Sequence, residues 1–185
     1  MLLLVFLLAF GLAMDAFAAA VAQGASGRHS LSGALQIGAA FGVAQGVMPL
    51  FGWGLGQAFG DLIRAVDHWI ALGLLGFLGA RMIREGLAPA DDEPVKKLTG
   101  RVLLVTSIAT SIDAAAAGVT LPTLGAPVLL ACAIIGTVTA VLSAAGVYFG
   151  AAAGNRFGKA AEVAGGLILI GLGLKIFVEH QFLGG

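Results

Sequence analysis

The chain has 185 residues, 59% of them hydrophobic and only 11% charged, with a mean hydropathy of +1.01, far from the roughly half-apolar, quarter-charged make-up of a water-soluble domain. Ten basic and ten acidic residues cancel, which leaves no basic face for a nucleic acid. The single cysteine, Cys132, excludes an internal disulfide or a CxxC redox pair and reads as a small buried hydrophobe.

Apolar runs of about 20 residues, the length that crosses about 30 Å of hydrocarbon, occur at 2–23, 33–59, 66–87, 102–122, 126–150 and 160–180. The first begins without a basic stretch and carries Asp15, so it predicts a retained helix rather than a cleaved signal. The loop Gly24 to Ser32 follows. The second run holds Pro49 and the glycines Gly52, Gly54, Gly56 and Gly60; without a preceding strand or a Gly-Lys-Ser/Thr they predict close helix packing, not a phosphate loop. A polar patch with Asp61, Arg64 and Asp67 leads into the third run, where Trp69 reads as an interfacial anchor and Arg81 and Glu85 share a helix face. Ala88 to Gly100, with Asp91, Asp92, Glu93, Lys96 and Lys97, resembles a soluble linker. The Pro/Gly-bounded stretch Pro122 to Pro127 separates the fourth and fifth runs, and Lys175 and Glu179 close the sixth. His29, His68 and His180 fall at span ends or in loops and read as solvated.

The expected fold is an all-α integral membrane protein of six transmembrane helices: residues 1–87, a cytoplasmic linker at 88–101, and residues 102–185. Arg28, the segment from Arg84 to Arg101, and Arg156 with Lys159 fall on one side of the membrane, against mainly Arg64 on the other. The excess marks the cytoplasmic side and predicts both termini outside the cytoplasm.

The halves repeat. Met14-Asp-Ala-Phe-Ala-Ala-Ala matches Ile112-Asp-Ala-Ala-Ala-Ala-Gly at an offset of 98, and Gly52, Gly56, Gly60, Gly79, Arg81 and Glu85 fall on Gly146, Gly150, Gly154, Gly173, Lys175 and Glu179 at an offset of 94. Three spans per copy is an odd number, so the second copy enters the membrane upside down, and such inverted repeats place a binding site at their interface near the midplane.

Asp15 and Asp113 occupy matching places near the middle of their spans. An ionised carboxylate there costs at least about 2.5–3.5 kcal/mol, and no mid-span base compensates it, since Arg81 and Lys175 lie at helix ends. A divalent cation held between the two acids meets that cost, as does protonation of one or both in a proton-coupled cycle. Two neutral acids hydrogen-bonded between helices is the purely structural alternative. Thr106, Thr110 and Asp113 share a helix face; Gln45 corresponds to Thr139 at the offset of 94, with Ser143 one turn on. Gln45, Thr110 and Thr139 thus join Asp15 and Asp113 as candidate metal ligands, interhelical hydrogen bonding being the equal alternative. An oxygen-rich site suits Mg²⁺, Ca²⁺ or Mn²⁺, with Met14 the one softer donor nearby.

These residues carry a family resemblance over essentially the whole chain. Leu8-Ala-Phe-Gly-Leu-Ala-Met-Asp-Ala-Phe-Ala, Met48-Pro-Leu-Phe-Gly-Trp-Gly, His68-Trp-Ile-Ala, Gly79-Ala-Arg-Met-Ile-Arg-Glu-Gly and Ala109-Thr-Ser-Ile-Asp-Ala together resemble the MntP-type manganese efflux pumps, relatives of the lysine-exporter superfamily. The resemblance implies a multi-pass inner-membrane exporter rather than an enzyme, with Mn²⁺ as transported substrate, no cofactor, the lipid bilayer as surroundings, and Asp15 and Asp113 as the important intramembrane acids; a homo-oligomer is compatible with it. It also implies glutamate at the place of Gln45 in some members, one formal negative charge more than here. Absent an ATP-binding motif, an ion gradient or the membrane potential is expected to drive transport. The broader superfamily implies the alternative cargo, an amino acid or other small organic cation, for which the sequence supplies no central arginine or lysine.

Overall fold

The computed structural model describes residues 2–25, 30–58, 67–88, 98–153 and 156–182. Among them every regular element is helical: α1 (Leu2–Ala25), α2 (Leu31–Ala58), α3 (Asp67–Leu87), α4 (Gly100–Thr110), α5 (Ile112–Gly118), a short 3₁₀ turn at Leu121–Leu124, α6 (Val128–Ala153) and α7 (Arg156–Phe182). Continuous apolar sequence produces this because a helix satisfies its own backbone polar groups, the condition for crossing hydrocarbon. Five helical stretches are long and apolar enough to do so: Leu2–Ala25, Leu31–Ala58, Gly100–Gly118, Val128–Ala152 and Lys159–Val178. The sixth expected span, α3, has 21 residues, but Asp67 at one end and Arg81, Arg84 and Glu85 at the other confine its uncharged run to His68–Ala80.

The expected fourth span differs from a single helix over 102–122. It breaks at Ser111 (φ −101, ψ 5) between α4 and α5, and past Gly118 it ends in the 3₁₀ turn, which Gly125 closes with φ 64 in the left-handed region that favours glycine. The cause of the break is local. The Ser107 hydroxyl donates to the Leu103 carbonyl (2.8 Å), Thr110 to Thr106 (3.0 Å) and Ser111 to Ser107 (2.7 Å), and such side-chain bonds to the preceding turn compete with the helix ladder and bend it. Pro49, by contrast, sits within a continuous α2. Arg28, Asp61, Arg64 and the acidic part of the linker lie outside the described residues, as do the side chains of His68, His180 and Glu179.

α1 packs along α6 and α7, α2 crosses α6, α3 lies along α7, and α5 packs against α2. The closest approaches use glycine. A methyl added at Gly150 would run into the Val21 carbonyl, one at Gly52 into that of Ala115, and one at Gly146 would meet Phe17; Gly56 faces Val119. Between α2 and α6, Gly42 meets Gly136 and Ala140, and Gly46 meets Gly136 and Cys132. Small residues let helices this apolar gain dispersion contacts that lipid cannot match. The main core gathers Val5, Leu8, Leu12, Leu75, Ile135 and Leu169, whereas Leu3, Phe51, Phe77, Val105 and Leu129 point outward and are well exposed, a distribution suited to a lipid solvent. The Gln23 side chain accepts from the Leu98 N–H at 2.6 Å, tying the end of α1 to the chain just before α4.

Candidate functional site

Asp15 lies midway along α1, half-buried, and Asp113 is the second residue of α5, 4% exposed. The fold brings the two carboxyl groups close enough to act on one another electrostatically. The Ser111 break explains how Asp113 is presented: it restarts the helix there, and the Ala114 N–H donates to Asp113 Oδ1 at 2.7 Å. Asp113 Oδ2 and Asp15 Oδ1 are buried and have no protein partner.

Among the described residues, three more buried side-chain oxygens share that condition: Gln45 Oε1, Thr139 Oγ1 and Ser143 Oγ. Gln45 is oriented, because its Nε2 donates to the Leu12 carbonyl at 2.8 Å, which fixes the amide and leaves Oε1 unpaired. Each such oxygen costs about 1–3 kcal/mol when left alone, so these five residues across α1, α2, α5 and α6 are poised to accept hydrogen bonds or donate lone pairs. Four were named from the sequence as ligands. The fifth named ligand, Thr110, stands differently: its half-buried hydroxyl donates to the Thr106 and Ser107 carbonyls, at 3.0 and 3.2 Å. Met14 packs beside Met82 against Gly165 of α7, which gives it a packing role.

The surrounding charge is also arranged. Arg81 feels both aspartates, yet its Nε donates to Glu85 Oε1 at 2.8 Å, the ion pair expected from their spacing. Glu162 of α7, which sequence reasoning passed over, faces Gly86 of α3 and shares the field of Asp15 and Glu85. Its one signal in the sequence was an acid within an apolar run.

Residues 28–177, which hold Gln45, Asp113, Thr139 and Ser143, match a family described as "Putative manganese efflux pump". Three proteins of that description are similar over nearly their whole lengths. MntP 1 of Wolinella succinogenes is 46% identical over 176 residues, 95% of this chain and 97% of the relative. The MntP proteins of Rhodopseudomonas palustris and Sorangium cellulosum are 44% and 45% identical over 178 and 190 residues; these cover 94% and 97% of this chain, and 92% and 97% of the relatives. The chain belongs to the MntP family. Membership agrees with the helices found, and the chain is a multi-pass membrane protein of a transporter family. No solved structure matches this MntP-family chain.

Proposed function

We propose that this chain exports Mn²⁺ from the cytoplasm by alternating access, with Asp15 and Asp113 as the central ligands and Gln45 and Thr139 as neutral oxygen donors. The observation that carries it is the pair of carboxyls meeting deep in an apolar bundle, each with an unpartnered oxygen. A divalent cation neutralises both acids at once and takes oxygen ligands by preference. Thr110 donates its hydrogen to its own helix and keeps its lone pairs, so it stays in the proposed ligand set. The names of the relatives support manganese as cargo and efflux as direction. Protons re-entering onto the vacated carboxylates, or the membrane potential, supply the drive.

The machine is two inverted three-helix repeats, 1–87 and 102–185, in an inner membrane with both termini outside the cytoplasm. The contacts support this. The offset of 94 exchanges Gly42 with Gly136 and turns the Gly46–Gly136 contact into Gly42–Ala140; the offsets of 98 and 94 turn Phe17–Gly146 into Ala115–Gly52 and Val21–Gly150 into Val119–Gly56. A pseudo-two-fold axis through the α2–α6 crossing relates them, and Asp15 and Asp113 are exchanged by the same axis. The test is manganese content of cells lacking the gene, restored with the wild-type chain or with Asp15→Asn or Asp113→Asn. Wild type should lower cellular manganese and both variants should fail; wild-type-like export by the two variants ends the reading.

A further inference from the structure

Among the described residues, Arg81 acts on both acids of the pair and is bonded to Glu85. Arg81 stands one residue before Met82, Asp15 one residue after Met14, and the two methionines meet on Gly165, where an added methyl would lie 2.5 Å from Met14 Cγ and 2.8 Å from Met82 Cε. α1 and α3 thus come to the same glycine of α7 through these two methionines, and the guanidinium feels both Asp15 and Asp113. It is nonetheless tied to Glu85, while Asp113 Oδ2, with the residue 4% exposed, goes without a partner. Arg81 and Glu85 are 47% and 42% exposed, and an open i,i+4 pair is weak and easily exchanged. They have room to move: α5 barely touches α3, whereas α1 packs closely on α7.

We propose that Arg81 is a tethered substitute for the transported cation: Glu85 holds it off the acid pair while cargo is bound, and on release Arg81 swings onto Asp15 and Asp113, displacing cargo and neutralising the emptied site. The inference rests on reading the aspartate pair as the cation site. It gives the protein an occupant for two buried carboxylates after the cation has left, and it prevents immediate rebinding. Arg81 and Glu85 are positioning residues in this scheme, since neither coordinates the ion. Glu162, facing Gly86 beside Glu85, adds negative charge where the latch opens.

The latch is tested by Mn²⁺-dependent thermal stabilisation of the purified full chain, with Mn²⁺ efflux from vesicles measured alongside. Arg81→Gln should tighten Mn²⁺ binding about tenfold and slow turnover, since nothing displaces the ion; Glu85→Gln, which frees the guanidinium, should weaken binding by about the same factor. Simple electrostatics gives those two signs as well, so the double variant decides. The latch requires R81Q/E85Q to bind like R81Q alone, because without Arg81 there is nothing for Glu85 to hold, and Glu85→Asp to restore wild-type binding. Additive effects in the double variant, or no change in any of them, overturn it. If the wild-type chain shows no Mn²⁺-dependent stabilisation, or D15N/D113N keeps it, the site reading itself fails and the latch falls with it.

Discussion

Asp15 rides on an unbroken helix enclosed by α6 and α7, while Asp113 rides on a broken one that leans on α2 and barely touches α3. The sequence beneath the two acids accounts for the contrast. At the offset of 98, Leu8-Ala-Phe-Gly-Leu-Ala before Asp15 faces Thr106-Ser-Ile-Ala-Thr-Ser before Asp113. Aliphatic side chains leave the ladder alone, and hydroxyls draw on its carbonyls. The two acids thus sit in different settings, one on a continuous helix and one just past a break. On the alternating-access reading proposed above, the break at Ser111 is where α5 is expected to pivot relative to Asp15.

The comparison breaks first if the acids are not equivalent in chemistry. Asp15→Asn and Asp113→Asn should each lower Mn²⁺ affinity about a hundredfold, read by titrating thermal stability, since each leaves the other charge half-compensated. A loss confined to one variant would mean that the fixed and the jointed acid do different work. Next come the glycine seams on either side of the two acids' helices. Gly150→Val on the α1 side and Gly52→Val on the α5 side force a side chain into a backbone carbonyl and should each destabilise by about 1–3 kcal/mol in thermal unfolding.

The joint itself is the third target. Ser107→Ala with Ser111→Ala removes two of the hydroxyls that bond back to the helix and should stabilise the fold by about 0.5–1 kcal/mol while slowing Mn²⁺ efflux. Unchanged efflux in the stiffened variant would make the break incidental. The smallest effect is expected at Gln45, whose amide donates to Leu12. Gln45→Leu should cost about 1 kcal/mol of stability and weaken Mn²⁺ binding a few-fold, and Gln45→Glu should strengthen binding by adding charge to the site.

Much of this was legible before any coordinates. The apolar runs marked the helices because hydrocarbon admits little else, and the acids stood out because a charge at that depth needs a reason. Gln45 and Thr139 emerged from the offset alone. The third run, expected at 66–87, is a helix at Asp67–Leu87; the four charges near its ends keep it out of the helices long and apolar enough to cross a membrane. The Ser111 break escaped because threonine and serine serve equally as ligands and as competitors of the backbone, and their sequence spacing is the same for both. For the same reason sequence spacing does not show that the Thr110 hydroxyl donates to its own helix, a bond that uses its hydrogen and leaves its lone pairs. Glu162 was missed because its significance depends on Gly86, a glycine 76 positions away in the chain.

The central claim is that Asp15 and Asp113 hold one manganese ion between them. An anomalous-scattering map from crystals of the full chain soaked in Mn²⁺ tests it most directly. The account predicts a single peak within about 2.0–2.6 Å of a carboxylate oxygen from each residue. A peak that touches only one of the two aspartates, or lies elsewhere in the bundle, would contradict it.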